Sequence, residues 1–211
     1  MRVKKFIVNP LQENSYIISD ETNECILVDP GFYYPEEQNK VKEYIRTNGL
    51  KPVMVVNTHC HFDHIMGVEF LREEYNIPFI VHADESFWVE NAVEQAEMFG
   101  FEMEPVNAPD YFIDVNEPLR FGTTELKVIH LPGHSPGHVV FYSEDELILI
   151  AGDVLFYGSI GRTDLPGGNY RTLISGIKEK LFTLPGGIKV YCGHGPETKL
   201  DFEKSSNPFL I

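Results

Sequence analysis

Three cysteines in 211 residues, Cys25, Cys60 and Cys192, are too few and too widely spaced to form a disulfide framework. Positive charge is also scarce: 17 Lys and Arg stand against 32 Asp and Glu, for a formal net charge of −15. Nucleic-acid binding draws chiefly on lysine and arginine neutralising phosphates, so this surface repels such a backbone and no nucleic-acid partner is expected. Long apolar runs are missing as well. The opening MRVKKFIVNPLQENSYIISD alternates and is interrupted by Pro10 and polar residues, so it is neither a signal h-region nor a membrane span. No membrane partner is expected, and a cytoplasmic location is the default. Internal repeats and low-complexity segments are lacking too.

What remains is a globular composition, 43% hydrophobic and 12% aromatic, sufficient for a sizeable core in one domain or two small ones. Residues 3–8, 15–19 and 25–31 read as an opening run of strands with turn signals at Asn9-Pro10 and Gly31. Val41, Tyr44 and Ile45 lie at helical spacing within 36–47, and Gly49 precedes a strand at 52–57. Helices are predicted over 65–75 and 83–99, a strand at 78–81, and a loop or lid at 104–110. Strands dominate 119–156, followed by a helix at 170–184 and a strand at 189–192.

Within this pattern the stretch VVNTHCHFDHIMG places His59, His61, Asp63 and His64 in six consecutive positions at the end of a strand. Buried without partners, such groups cost several kcal/mol each, so a shared ligand is the economical explanation. In an extended segment side chains two apart point together, which pairs His59 with His61 and turns Cys60 elsewhere. Asp63 and His64 leave in another direction and suit a second ion nearby. Zinc-type sites take three or four N, O or S ligands, and the remaining candidates are His134 and His138 in LPGHSPGH, Asp153 in IAGDVLF and His194 in VYCGHGP. Each lies at a strand end beside glycine or proline, where the backbone can approach a ligand. His82 and His130 read as structural or surface groups, and Cys60 and Cys192 as small apolar filler. The alternative for the whole set is a collection of capped, hydrogen-bonded loop residues.

The ordered set THCHFDH, PGHSPGH, AGDVLF and CGHGP resembles the metallo-β-lactamase superfamily over nearly the whole chain. That resemblance implies an α/β fold, a four-layer αββα sandwich, here as a single hydrolase domain over 1–211. Asp153, the segment GSIGRTDLPGG and the ending NPFL look most like the glyoxalase II (hydroxyacylglutathione hydrolase) group. Only 17 residues follow His194, fewer than the helical C-terminal domain with which many glyoxalase II enzymes build the glutathione site, so a short single-domain relative is implied. Carried over, the family pattern gives His59, His61 and His134 to one metal and Asp63, His64 and His194 to the other. Asp153 bridges the two, and His138 supports its neighbour His134.

The implied cofactor is two divalent ions, zinc first, with iron or manganese as alternatives. Four positive charges less three from Asp63, Asp153 and a bridging hydroxide leave about one, which favours a negative transition state. A zinc-bound water can have its pKa lowered to about 7, so the hydroxide exists at neutral pH, with His59, Asp63 and Asp153 closest to the chemistry. A thiol with a pKa of about 8.5 leaves directly as thiolate, whereas an amine needs an acid that the sequence does not identify. The expected activity is therefore hydrolysis of a small-molecule thioester, and β-lactam cleavage is disfavoured because lactamases of the superfamily generally lack the aspartate. Arg162 and Arg171 are the cations placed to meet an anionic substrate, with an Arg162–Asp164 ion pair as the rival reading for the first. Phe87, Trp88, Phe99 and Phe101 line a pocket or simply fill the core. Two other functions fit the residues: an iron persulfide dioxygenase, in which His59, His134 and Asp153 form a two-histidine, one-carboxylate set, and a non-catalytic metal-binding module.

Overall fold

A computed structural model describes Met1–Ile211. The chain forms two compact units, Met1–Ile113 with Arg120–Glu125, and Asp114–Leu119 with Leu126–Ile211.

In the first unit the strands are β1 (Arg2–Val8), β2 (Glu13–Ser19), β3 (Glu24–Val28), β4 (Lys51–Val56), β5 (Phe79–Val81) and β6 (Tyr111–Phe112), hydrogen-bonded in that order into one sheet. The β1–β2 and β2–β3 pairs are antiparallel, and those from β3 onward are parallel. Parallel pairing requires crossovers, which explains the alternation of strand and helix after β3. The first crossover is α1 (Pro35–Thr47), with Pro35 in its first turn and Val41 and Ile45 buried along one stripe. The Glu37 carboxylate accepts the N–H groups of Tyr33 at 2.8 Å and Tyr34 at 3.1 Å, satisfying donors at the helix entry. Leu27, Val55, Ile65, Leu71 and Phe79, all buried, belong to a core that α1 and the later helices cover.

The helix expected over 65–75 is two helices, α2 (Phe62–Ile65) and α3 (Val68–Tyr75). They part at Gly67, whose N–H donates to the Pro30 carbonyl at 2.7 Å, and where a Cβ would meet a Phe32 ring carbon at 2.7 Å. The stretch expected as one helix over 83–99 is a 3₁₀ turn at Ala83–Glu85 followed by α4 (Ser86–Glu90) and α5 (Ala92–Met98). Asn91 separates α4 from α5, its side-chain amide donating to the Phe87 carbonyl at 2.7 Å, the local competition that makes asparagine a poor helix-interior residue. As expected, 104–110 carries no helix or strand.

A second sheet contains β7 (Leu119–Phe121), β8 (Thr124–His130), β9 (Val139–Ser143), β10 (Ile148–Gly152), β13 (Lys189–Cys192) and β14 (Thr198–Lys199), in the order β14-β13-β10-β9-β8-β7, and the short hairpin β11 (Leu155–Phe156) and β12 (Ser159–Ile160) stands apart from it. Helix α6 (Tyr170–Gly176) passes into a π-helical turn at Ile177–Leu181, so the helix expected over 170–184 is shorter and changes its winding. Leu173, Ile177 and Leu181 pack with Val140, Leu149 and Val190 in the core of the second unit. The last helix, α7 (Leu200–Ser206), carries the fully buried Glu203. Its carboxylate accepts from the Thr198 hydroxyl at 2.5 Å, the Gly158 N–H at 3.1 Å and the Asn207 amide at 2.7 Å. Asn207 also donates to the Ser159 carbonyl at 3.0 Å. The asparagine of NPFL is thus a fastener for the β11–β12 hairpin.

Candidate metal centre

The first unit places the four motif residues where β4 ends and α2 begins, and all four are buried. The His59 ring centroid lies 4.8 Å from that of His61 and 4.2 Å from that of His64. Residues 57–61 belong to no helix or strand, so their backbone polar groups need other partners. Side chains from several elements supply them. The Asn57 amide donates to the carbonyls of His59 at 3.1 Å and His64 at 2.8 Å, and the Asn9 amide to that of Asp63 at 3.0 Å. The Thr58 N–H donates to Asp29 at 2.7 Å, the Cys60 N–H to Glu85 at 2.8 Å and the Phe62 N–H to Gln95 at 2.7 Å. None of Asn9, Asp29, Glu85 or Gln95 is near the motif in sequence.

Asp29 sits at the end of β3 with φ +49, in the left-handed region that aspartate tolerates better than most residues. The Thr58 hydroxyl donates to its carboxylate at 2.6 Å, which uses the only proton that hydroxyl has. At the 3.2 Å contact between Thr58 Oγ1 and His59 Nδ1 the imidazole must consequently be the donor, and the lone pair is left on His59 Nε2. His64 Nδ1 lies 3.4 Å from Asp29 Oδ2 and 3.6 Å from Glu13 Oε1, while its Nε2 lies 3.8 Å from Asp63 Oδ2. Glu13 is fully buried, and burial pushes its carboxyl well above the usual carboxylate range; His64 opposes this and Asp29 adds to it.

The second unit holds the other candidates at strand ends, with His134 after β8, Asp153 after β10 and His194 after β13. Asp153 Oδ2 lies 3.6 Å from His134 Nε2 and 3.7 Å from His194 Nε2. A single carboxylate oxygen is thereby placed beside two imidazole nitrogens. The Nδ1 of His134 is 2.8 Å from the Arg162 carbonyl, which can only accept, so again the proton is on Nδ1 and the lone pair on Nε2. His138 is arranged the other way round: its Nε2 accepts the Asp153 N–H at 3.1 Å. With that lone pair engaged, His138 orients the Asp153 backbone and does not present Nε2 as His134 does.

The Arg162 guanidinium makes two 2.8 Å hydrogen bonds to the Asp164 carboxylate, the arrangement of the rival reading. The pair's hydrogen bonds hold Asp164 down at about 2, and the contribution of this loop that the sequence did not reveal is the Arg162 backbone carbonyl on His134. Arg171 is exposed on α6. His82 Nδ1 accepts the Asp84 N–H at 3.2 Å and His130 Nε2 contacts the Pro136 carbonyl at 2.9 Å, local roles of the kind expected for both. Burial drives the Cys60 thiol well above its ordinary range, in keeping with apolar filler. Of the four aromatic residues, Trp88 is buried with its ring edge-on to His61 at 4.7 Å, while Phe87 and Phe99 are 55% and 40% exposed, so they do not form one core stripe.

No helix is long and apolar enough to cross a membrane. A model of the metallo-β-lactamase superfamily matches residues 8–194. A probable metallo-hydrolase of Bacillus subtilis, YqgX, is 42% identical over 213 residues, covering 100% of this chain and 98% of its own. The hydroxyacylglutathione hydrolase GloC of Haemophilus influenzae is 34% identical over 212 residues, covering 100% and 98%. Among solved structures, the B3 metallo-β-lactamase BLEG-1 is similar with a TM-score of 0.91, 35% identity and full coverage of both chains. The protein TTHA1623 in a di-iron-bound form gives 0.88 at 38% identity, covering 99% of this chain and 100% of that one.

Proposed function

Because the chain belongs to the metallo-β-lactamase superfamily and has its fold, we propose that it is a metal-dependent hydrolase of small thioesters, acting as one catalytic domain over 1–211. The observation that carries the metal-dependent part is a set of distances. Two donors on one tetrahedral ion, each about 2.1 Å from it, stand about 3.4 Å apart. Asp153 Oδ2 stands 3.6 and 3.7 Å from the Nε2 atoms of His134 and His194, and Asp63 Oδ2 3.8 Å from that of His64, too far for good hydrogen bonds and near co-ligand spacing. The donors are imidazole and carboxylate, a set suited to zinc, iron or manganese rather than to a soft thiolate-bound ion.

In this reading His59, His61 and His134 hold one divalent ion, Asp63, His64 and His194 hold the other, and Asp153 serves both. Such ions supply Lewis acidity for a scissile carbonyl and make water nucleophilic near neutral pH. The chain's own residues do the positioning. The Thr58 hydroxyl and the Arg162 carbonyl fix the tautomers of His59 and His134, and Asp153 is held through its N–H by His138. Arg171 is the exposed cation for an anionic substrate end, whereas the Arg162 guanidinium must first leave Asp164 to play that part. The relative named a hydroxyacylglutathione hydrolase supports a thioester substrate, and a thiolate leaving group needs no protein acid.

Purified protein is expected to carry two divalent ions per chain and to release thiol from S-lactoylglutathione, with no oxygen uptake on glutathione persulfide. Elemental analysis, a thiol assay, an oxygen electrode and a chromogenic β-lactam read the four arms. One iron per chain with oxygen uptake would establish the dioxygenase instead, β-lactam opening without thiol release a lactamase, and metal-replete protein inert in every arm a binding module. His138→Ala is expected to weaken metal affinity by ~10–100-fold, the range for a partner that orients a ligand, while His134→Ala abolishes turnover. Equal and total metal loss in both variants would contradict the division of labour between the two histidines.

A further inference from the structure

His61 is clamped on both sides by a single segment of the chain. The N–H groups of the residues on either side of it, Cys60 and Phe62, both donate into one downstream segment, to Glu85 at 2.8 Å and to Gln95 at 2.7 Å. Glu85 is fully buried and Gln95 is 6% exposed, so neither acceptor is replaced by bulk water when lost. The same segment supplies Trp88, edge-on to the His61 ring at 4.7 Å, and Phe99, stacked on Phe62 at 5.2 Å. Asp63 and His64 are supported from elsewhere, by Asn9, Glu13 and Asp29 of the N-terminal strands and their turns. His61 itself is extended, with φ −62 and ψ 148, just before α2, where the chain has no ladder to fix its orientation.

We propose that Glu85 and Gln95 are positioning residues for His61, and that with Trp88 they form a brace setting the affinity of the metal position His61 serves, independently of the position served by Asp63 and His64. The inference rests on the reading of His61 as a ligand. Leaving a buried N–H without its acceptor is costly, and the chain relieves that penalty by rotating the peptide, which swings the imidazole between the two clamped residues. Half an ångström of misplacement is enough to spoil a ligand's pose. Asn57 and Asp29 touch both groups of ligands, but the Glu85 and Gln95 acceptors hold only the peptides flanking His61.

The test is a metal titration of the metal-free full chain with Zn²⁺ against a chromophoric chelator, repeated with Co²⁺ to record its ligand-field absorption. Wild type is expected to bind two equivalents. Glu85→Ala and Gln95→Ala are each expected to weaken one equivalent by ~10–100-fold, leave the other within a few-fold of wild type, and shift one of the two Co²⁺ absorption components. Glu85→Gln keeps an oxygen acceptor for the Cys60 N–H and is expected to restore both readouts. A purely structural role would lower the melting temperature of metal-free protein without separating the two equivalents. Wild-type affinities and spectra in both alanine variants, equal weakening of both equivalents, or no restoration by Glu85→Gln would overturn the brace while leaving the hydrolase reading intact. A wild-type chain that binds no Zn²⁺ or Co²⁺ would overturn both.

Discussion

Asp153→Ala is expected to abolish thiol release and to remove metal from both proposed positions. Removing a partner that merely orients a ligand weakens metal affinity by ~10–100-fold, and Asp153 stands a step closer than that. One of its oxygens is the shared neighbour of His134 Nε2 and His194 Nε2, at 3.6 and 3.7 Å. Its backbone is fixed from two sides. The N–H donates to His138 at 3.1 Å, and Gly161 packs so closely that a Cβ there would lie 1.8 Å from the Asp153 carbonyl oxygen and 3.1 Å from His134 Nδ1. Asp153→Asn separates charge from shape: the amide fills the same space but brings no negative charge to the proposed metal positions, so metal content is expected to fall while the fold persists. Elemental analysis and circular dichroism on the same preparations check both. Full metal occupancy in Asp153→Ala would contradict the shared role.

Legibility in the sequence follows from how each feature is encoded. The HCHFDH motif is legible because it gathers four donors into six positions at a strand end, and the strands β3, β4 and β13 because each is a short, nearly continuous apolar run. The supports of the motif are not. Glu13, Asp29 and Glu85 are three acidic residues among 32 Asp and Glu, and nothing local distinguishes a buried acceptor from a solvated charge. Only the fold brings Glu85 to the Cys60 N–H and Asp29 to Thr58. Helix breaks were hidden for a related reason. Gly67 and Asn91 each disfavour a helix interior by only about 1 kcal/mol or less, too little to mark a break by themselves, and the breaks depend on Pro30 and Phe32 beside one and on the Phe87 carbonyl beside the other. In the GRTD loop the Arg162–Asp164 ion pair was legible as one of two readings, whereas the reach of the Arg162 backbone carbonyl to His134 was not.

Gly31→Ala is expected to destabilise the chain and to weaken metal binding at the position proposed for Asp63 and His64. Space is the reason. A Cβ on Gly31 would lie 2.2 Å from the Asp63 carbonyl oxygen, 2.5 Å from Glu13 Oε2 and 2.8 Å from Asn9 Nδ2. None of the three can step aside cheaply. The Asp63 carbonyl is backbone, Glu13 is fully buried and accepts from the Ser15 hydroxyl at 2.7 Å, and the Asn9 amide bridges the carbonyls of Gly31 and Asp63 at 3.0 Å each. Overpacking of this kind typically costs ~1–3 kcal/mol, which for a chain of this size lowers the melting temperature by ~2–4 °C per kcal/mol. Gly49→Ala is the matched control. With φ +62 and no atom within 4 Å of an added Cβ, it loses a comparable ~1–2 kcal/mol through backbone strain at the end of α1. Both variants should therefore melt early, but Gly31→Ala alone pushes on the Asp63 backbone and should bind one metal equivalent less tightly in the titration. Equal metal affinities in the two variants would mean that the close packing around Gly31 serves stability and not the pose of Asp63.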